Sequence, residues 1–193
     1  MIKSLTLVSV IIPTRNRSDL AKGAVKNILN QTYCDIEIIV VEDGSNSGIE
    51  DYLKTLDDKR IHYCAHNSRK GLAAARNSGT QIANGKYVAF MDDDERWVKD
   101  KINLQCDLIE SYEGENIMIY CGNLKFNENG LSKEFIPSVK GEMSKYFFNG
   151  YCIGSSCLVI PRKSLLSIGG HSENLTSCID HDLWMKYSKN DFV

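Results

Sequence analysis

Three consecutive aspartates and a glutamate, Asp92-Asp93-Asp94-Glu95, follow the apolar run Tyr87-Val88-Ala89-Phe90-Met91. A short apolar run bounded before by Asn84-Gly85 reads as a buried strand. The carboxylates then stand where a strand leaves a sheet, a usual place for ligands in open α/β sheets. Four adjacent carboxyl groups repel one another; water relieves this in part, and a hard cation relieves it better. Magnesium or manganese held by one or two carboxylates plus substrate phosphates is the chemistry suggested, with a solvated loop cap as the plain alternative. Two other acidic positions could join such a site. Asp43 ends another apolar run and reads either as a ligand or as an Asp-Gly turn former. Asp180 and Asp182 open the last helix, where carboxylates also serve as caps. Arg76 sits among alanines, with room to reach a phosphate or to pack. The four histidines show no ligand spacing and read as non-ligands.

The elements that must hold these groups follow from apolar periodicity. Residues 7–13 are β-rich and end at Pro13, a first buried strand. Ser18-Asp19 can cap a helix with Leu20, Ala24, Val25, Ile28 and Leu29 at helical spacing. Residues 36–41 make a second strand ending in Glu42-Asp43-Gly44-Ser45. Strand, helix, strand in about 35 residues is a βαβ unit, which implies parallel pairing. A helix with Ile49, Tyr52, Leu53 and Leu56, a strand at 60–64 and a small-residue helix from Gly71 to about Ala83 come next. Small side chains let that helix lie close to a sheet or a ligand. Residues 1–95 thus alternate β and α, a nucleotide-binding type of half-domain. In residues 96–193 the spacing predicts a helix from Trp97 to about Glu110, a strand at 117–121, a hairpin or loop excursion at 123–140 turning at Asn127-Glu128-Asn129-Gly130, a strand at 156–161, a short helix at 162–168 and a last helix at 180–189.

Composition narrows the classes. At 193 residues, with 42% hydrophobic and 25% charged, the chain reads as a single domain with a real core. A net charge of -2 gives no general attraction to nucleic acid or to an anionic membrane, and nucleic acid is not expected as a partner. Seven scattered cysteines without a C-x-x-C pair fit a reducing compartment, hence a cytoplasmic location, rather than zinc. Lys3 followed by residues 5–13 faintly resembles a signal peptide, but the short, interrupted apolar core reads as a strand. There is no G-x-x-x-x-G-K-[ST], no G-x-G-x-x-G after the first strand, and Trp97 stands where a calcium loop needs glycine.

The blocks together carry a resemblance. Val8-Ser9-Val10-Ile11-Ile12-Pro13-Thr14-Arg15-Asn16, Glu37-Ile38-Ile39-Val40-Val41-Glu42-Asp43-Gly44-Ser45, residues 71–79 with Arg76-Asn77, Phe90-Met91-Asp92-Asp93-Asp94, and Ser155-Ser156 through Gly169-Gly170-His171 to Asp180-His181-Asp182-Leu183-Trp184 resemble, in order, the blocks of glycosyltransferase family 2. The resemblance implies the GT-A nucleotide-diphospho-sugar transferase fold: α/β, a mixed, mostly parallel central sheet with helices on both faces. It implies inverting transfer of a sugar from a nucleotide diphosphate sugar, a UDP-sugar by family frequency, to an acceptor hydroxyl in polysaccharide biosynthesis. Pro13, Thr14 and Arg15 would border the nucleoside, Asp43 would accept from the base, and Arg76 would lie near the base or phosphates. Asp92 and Asp93 would contact ribose or metal-bound water, and Asp94 would hold Mn2+ or Mg2+. Asp180 matches the general base, with Asp182 as alternate because Ile179 stands where the family has glutamate. His171 stands where phenylalanine is usual, and Glu42 where aspartate is usual. Family members continue beyond the base helix, so part of the acceptor site is expected beyond Val193. Acceptors of this kind, saccharides or lipid-linked saccharides, imply peripheral contact with the inner face of a membrane. A non-catalytic sugar-nucleotide-binding module and a sugar nucleotidyltransferase are the alternative readings; the latter would be expected to carry a glycine-rich phosphate loop near Pro13.

Overall fold

The computed structural model describes residues 6–112, 117–141 and 143–189; the expectations at Lys3 and beyond residue 189 lie outside them. Its centre is a six-stranded sheet whose strands lie, from one edge to the other, at Ile61–His66, Ile36–Asp43, Val8–Thr14, Tyr87–Phe90, Leu158–Pro161 and Ile119–Tyr120. Strands β1 (Val8–Thr14), β2 (Ile36–Asp43), β3 (Ile61–His66) and β4 (Tyr87–Phe90) run parallel, with Val8 opposite both Ile36 and Tyr87. Strand β8 (Leu158–Pro161) pairs antiparallel with β4 and with β5 (Ile119–Tyr120), so β5 again runs in the direction of β4 and both halves of the chain share one sheet. β1, β2 and β4 are buried on both faces, which is why they appear as unbroken apolar runs rather than alternating ones.

The period of two along each strand divides the core. Val8, Val10, Ile12, Ile38 and Val40 face α1 (Ser18–Leu29), α2 (Ile49–Thr55) and α4 (Lys101–Ser111). Ile11, Ile39, Val41, Val88 and Phe90 face α3 (Leu72–Ile82), α5 (Ser144–Phe148), α6 (Arg162–Ser167) and α7 (Ile179–Ser188). Helices therefore cover both faces. α3 lies close to β1 and β2 because Gly79 faces them: a Cβ there would come within 2.5 Å of the Ile11 side chain. β6 (Asn123–Asn127) and β7 (Gly130–Phe135) form a separate two-stranded hairpin.

The structure departs from the sequence expectation in several places. The helix expected from Trp97 starts at Lys101, because Asn27 bonds both the N–H and the carbonyl of Trp97 and Gln31 bonds the Val98 carbonyl, which holds this stretch extended against α1. Arg17, not Ser18 or Asp19, occupies the cap position of α1, with no side-chain cap bond, and Leu20 is exposed. β3 runs on to His66, because Asp43 and Ser78 grip that ring. α5, which the sequence pattern did not indicate, buries Phe147 against Trp184, ring centroids 6.4 Å apart.

Candidate active site

Parallel strands end on one rim. Thr14, Asp43, His66 and the residues just past Phe90 stand there, at the point where the strand order turns from β1–β2 to β1–β4. Such a switch point opens a crevice beyond the carboxyl ends of the strands. Thr14 closes the β1 side by donating to Asp93 Oδ2 at 2.7 Å. Arg17 adds one guanidinium nitrogen 3.2 Å from both Asp93 and Asp94, and these contacts, the Asp93 bond foremost, raise its pKa. Asp93 is thus buried and occupied, whereas Asp94 is exposed with its side chain 55% accessible. An open depression lined by Asn16, Arg17, Ser18 and Ser47 adjoins this pair. Pro13 is buried within β1, and Arg15 is exposed beside it.

Asp43 is committed to the loop before α3. Its Oδ1 accepts from His66 and from the Lys70 N–H, and its Oδ2 from the Gly71 N–H. Burial alone would raise this carboxyl; the bonds from His66, Lys70 and Gly71 outweigh that and hold it below its ordinary value. Gly44, at φ +65°, lets the same loop approach: a Cβ there would meet the Arg69 backbone. Glu42 braces the β2 end by accepting from Ser45, Ser47 and Tyr63.

The centre of the rim is Arg76. Its side chain is 2% exposed, so of the two readings its alanine neighbours allow, packing or reaching a phosphate, it takes the packed position. One guanidinium nitrogen is 2.7 Å from Asp92 Oδ1, the other 2.7 Å from Asp180 Oδ1 and 3.0 Å from Ser155 Oγ. Burial pulls this group's pKa down, but Asp92 and Asp180 more than restore it. Ser155 fixes Asp180 twice, Oγ to Oδ1 at 2.5 Å and N–H to Oδ2 at 3.2 Å. Ser155 stands in the short 3-10 turn Ser155–Cys157, and its neighbour Ser156 accepts from the Asp92 N–H. Asp182 faces elsewhere, accepting from Ser172 at 2.6 Å and lying 3.4 Å from Lys186. Glu95 is raised above its ordinary value, first by partial desolvation and then by repulsion from Asp92 and Asp94. Asp92, Asp180, Arg76 and Ser155 are therefore one connected group, Asp93, Asp94, Thr14 and Arg17 a second beside it, and Asp43 a third contact on the β2 side.

A profile described as Glycosyl transferase family 2 matches residues 9–168. The chain belongs to glycosyl transferase family 2. Among curated relatives, an "Uncharacterized glycosyltransferase" of Rickettsia felis is 36% identical over 97% of this chain and 31% of its own length. The UDP-Glc:alpha-D-GlcNAc-diphosphoundecaprenol beta-1,3-glucosyltransferase WfgD of Escherichia coli is 27% identical over 97% of this chain and 72% of its own. The chain spans only 31%, 22% and 58% of the first three curated relatives it matches. The fold matches S. aureus TarS 1-349 in complex with UDP, with TM-score 0.74 and 19% identity over 95% of this chain and 55% of that one. It also matches the mannosyltransferase PcManGT from Pyrobaculum calidifontis in complex with GDP-Man and Mn2+, at 0.72 and 19% over 98% and 54%. These are GT-A-type transferases, and the family 2 chain described here has their fold.

The contacts of Arg17, His66 and Ser155 with the acidic residues are not legible in the sequence. Serine, histidine and a loop arginine carry no pattern of their own, and their partners lie 76, 23 and 25 residues away. Two signals are present: Arg17 adjoins the Pro13-Thr14-Arg15-Asn16 block, and Ser155 opens a later block of the family resemblance.

Proposed function

We propose that this family 2 chain is one catalytic unit, a cytoplasmic inverting glycosyltransferase that moves a sugar from a UDP-sugar to an acceptor hydroxyl on a lipid-linked saccharide. The observation that carries the reading is the Arg76 bridge, which sets a donor-side carboxylate, Asp92, and an acceptor-side carboxylate, Asp180, on two nitrogens of one buried guanidinium. In-line displacement at an anomeric carbon needs the leaving phosphate on one side and a proton acceptor on the other. Asp180 spends Oδ1 on Arg76 and Ser155 and only a long backbone bond on Oδ2, so Oδ2 is the oxygen that takes the acceptor's proton. Asp182, committed to Ser172, lacks this placement.

The donor side fits a divalent cation. Among the described residues no group of three or more His, Cys, Asp or Glu converges, and a hard cation shared with a diphosphate needs only one or two carboxylates. The exposed Asp94, with Asp92 beside it, would hold Mn2+ or Mg2+, which when bound neutralises charge on the departing diphosphate. Arg17, already paired to Asp93 and Asp94, can turn a nitrogen to the same phosphates. Thr14, Arg15 and Asp43 border the place for the nucleoside, and Asp43 keeps the loop at 68–71 folded against it.

The lipid-linked acceptor is taken from WfgD, whose name gives a diphosphoundecaprenol substrate. No helix of the described residues is long and apolar enough to cross a membrane. The test is to assay the chain with UDP-, GDP-, TDP- and CDP-sugars with and without manganese, following released nucleoside diphosphate and the anomeric configuration of the product. Inverted product from a UDP-sugar, abolished in Asp180→Asn while UDP still binds, supports the reading. Retained turnover in Asp180→Asn refutes Asp180 as the base, and binding without turnover in the parent chain favours the non-catalytic module.

A further inference from the structure

Cys121 and Cys157 face each other where β5 and β8 end their pairing. The register that sets Ile119 opposite Val159 and Tyr120 opposite Leu158 runs on by one residue, and the Cys121 N–H donates to the Cys157 carbonyl at 3.1 Å. Gln105 on α4 clamps this point, donating to the Ile119 carbonyl at 3.2 Å and to the Cys157 carbonyl at 2.9 Å. Both side chains pack on the same apolar cluster, and the two thiols are hydrogen-bonded to each other. Cys157 is buried, with Asn123 donating to its Sγ at 3.6 Å, whereas Cys121 is partly exposed. Lys101 lies buried beside the pair, 3.8 Å over the Trp97 ring, and donates to Gln105 at 2.7 Å.

A buried lone cysteine is usually a small apolar residue. Two directly opposed thiols, one reachable from solvent and both beside a cation, are instead the arrangement of a redox pair. The hydrogen bond from Cys157 first, and then the Lys101 charge, hold the Cys121 thiol below its ordinary value against the opposing effect of burial. We propose that Cys121 and Cys157 are a reversible dithiol–disulfide pair that regulates the proposed transferase site, with a low-molecular-weight disulfide as the oxidant. The Cys121 thiolate attacks one sulfur of that disulfide, forms a mixed disulfide and releases the first small thiol. Cys157 then attacks Cys121 Sγ and releases the second. The two protein protons end on the two leaving thiolates, and two electrons pass from the protein to the small disulfide. Opposed residues of an antiparallel pair have Cβ atoms about 4.5–5.5 Å apart, and a disulfide needs about 3.5–4.5 Å, so closure draws the backbones together by about 1 Å. Cys157 ends the turn in which Ser155 holds Asp180 and Ser156 accepts from the Asp92 N–H. The bridge therefore pulls on both carboxylates that Arg76 ties together. This consequence rests on the reading of Asp180 as the base; formation of the bridge does not.

Equilibration with oxidised glutathione tests it. Disulfides are mapped by peptide mass spectrometry in the parent chain, in Cys121→Ser and in Cys157→Ser, with thermal melting of each reduced protein as the check of folding. The parent is expected to form the Cys121–Cys157 bridge. Cys157→Ser is expected to stop at glutathione on Cys121, and Cys121→Ser to leave the buried Cys157 unmodified. Turnover of nucleotide sugar by the bridged parent is expected to fall by about 100-fold and to return with dithiothreitol. Cys121→Ser should keep its turnover through the same treatment. Glutathione on the exposed Cys34, Cys152 and Cys178 with Cys121 and Cys157 still free overturns the proposal. So does a bridge that leaves turnover unchanged, or an equal loss of turnover in parent and Cys121→Ser. A bridge that forms in a chain without turnover in either state upholds the pair and refutes the transferase reading, so the two fail separately.

Discussion

Asp180 Oδ1 lies 2.7 Å from an Arg76 nitrogen contributed by a helix 104 residues earlier, and the other nitrogen of the same guanidinium holds Asp92. The base candidate and the acidic strand end are thus held in one geometry by a single side chain. Lysine at position 76 would keep the charge but, as a point donor, could not hold two carboxylates in a fixed fork. Arg76→Lys is expected to fold and to bind UDP, with turnover reduced by about 100-fold, the scale of a roughly 1 Å misplacement. Arg76→Ala leaves both carboxylates facing each other and is expected to lower stability by about 3 kcal/mol, the low end for a broken buried pair because both acids keep some contact with water. Urea titration of the two variants separates these effects; an Arg76→Lys variant with parental turnover would show that the bridge is structural only.

With Asp180 as the proposed base, Ser155 is a positioning residue that acts through it. Its hydroxyl and its N–H both hold that carboxylate. Ser155→Ala removes the hydroxyl's bond to Asp180 and the bond it accepts from Arg76, and keeps the N–H bond to Asp180. Its expected effect is a drop in kcat of about 10-fold. The KM for the nucleotide sugar should stay within error and the pH profile of kcat should move, because the base has changed its environment. Ser155→Thr, which keeps the hydroxyl, should restore most of the rate. A change confined to the donor KM would place Ser155 in the donor site instead.

The parts of this arrangement differ in how far the sequence reveals them. β1, β2 and β4 are legible because a strand buried on both faces must be apolar throughout, and the acidic residues at their ends then fall on a common rim. α3 is legible from its alanines and Gly79, which match its close approach to Ile11. The Arg76 bridge is not legible: it needs α3, the loop after β4 and the start of α7 to meet, and no spacing encodes that. Nor is the late start of α4, since the competing partners of the Trp97 backbone are on α1. α5, at five residues, is too short to show a period and is fixed by Phe147 packing on α7.

Asp94 is exposed, and among the described residues Arg17 is the side chain that holds it. Asp94→Asn is therefore expected to leave stability within about 0.5 kcal/mol of the parent. It should raise the manganese concentration needed for half-maximal activity by at least about 10-fold, since loss even of a ligand's outer partner costs 10- to 100-fold in affinity. Manganese titration of turnover reads this directly. An unchanged half-activating concentration would transfer the ligand role to Asp92 or Glu95.

His171 is 2% exposed, neither of its ring nitrogens has a hydrogen-bond partner among the described residues, and its ring meets Phe90 edge-on at 5.1 Å. Burial first, and then the nearby Arg76, lower its pKa to about 3. The unfolded chain holds this proton with a pKa of about 6.5. Between those two values the unfolded state binds one more proton than the folded state, so this residue's contribution to stability falls as pH drops below about 6.5. Phenylalanine would keep the ring contact, remove two unpartnered buried nitrogens and abolish the titration. His171→Phe is expected to be more stable than the parent by about 1–2 kcal/mol at pH 7.5. The advantage should widen by about 1.4 kcal/mol for each pH unit below 6. Urea unfolding at pH 7.5 and pH 5.5 measures both terms. A constant difference at the two pH values would mean that the imidazole is not held neutral, and a less stable variant would mean that its nitrogens are satisfied by bound water.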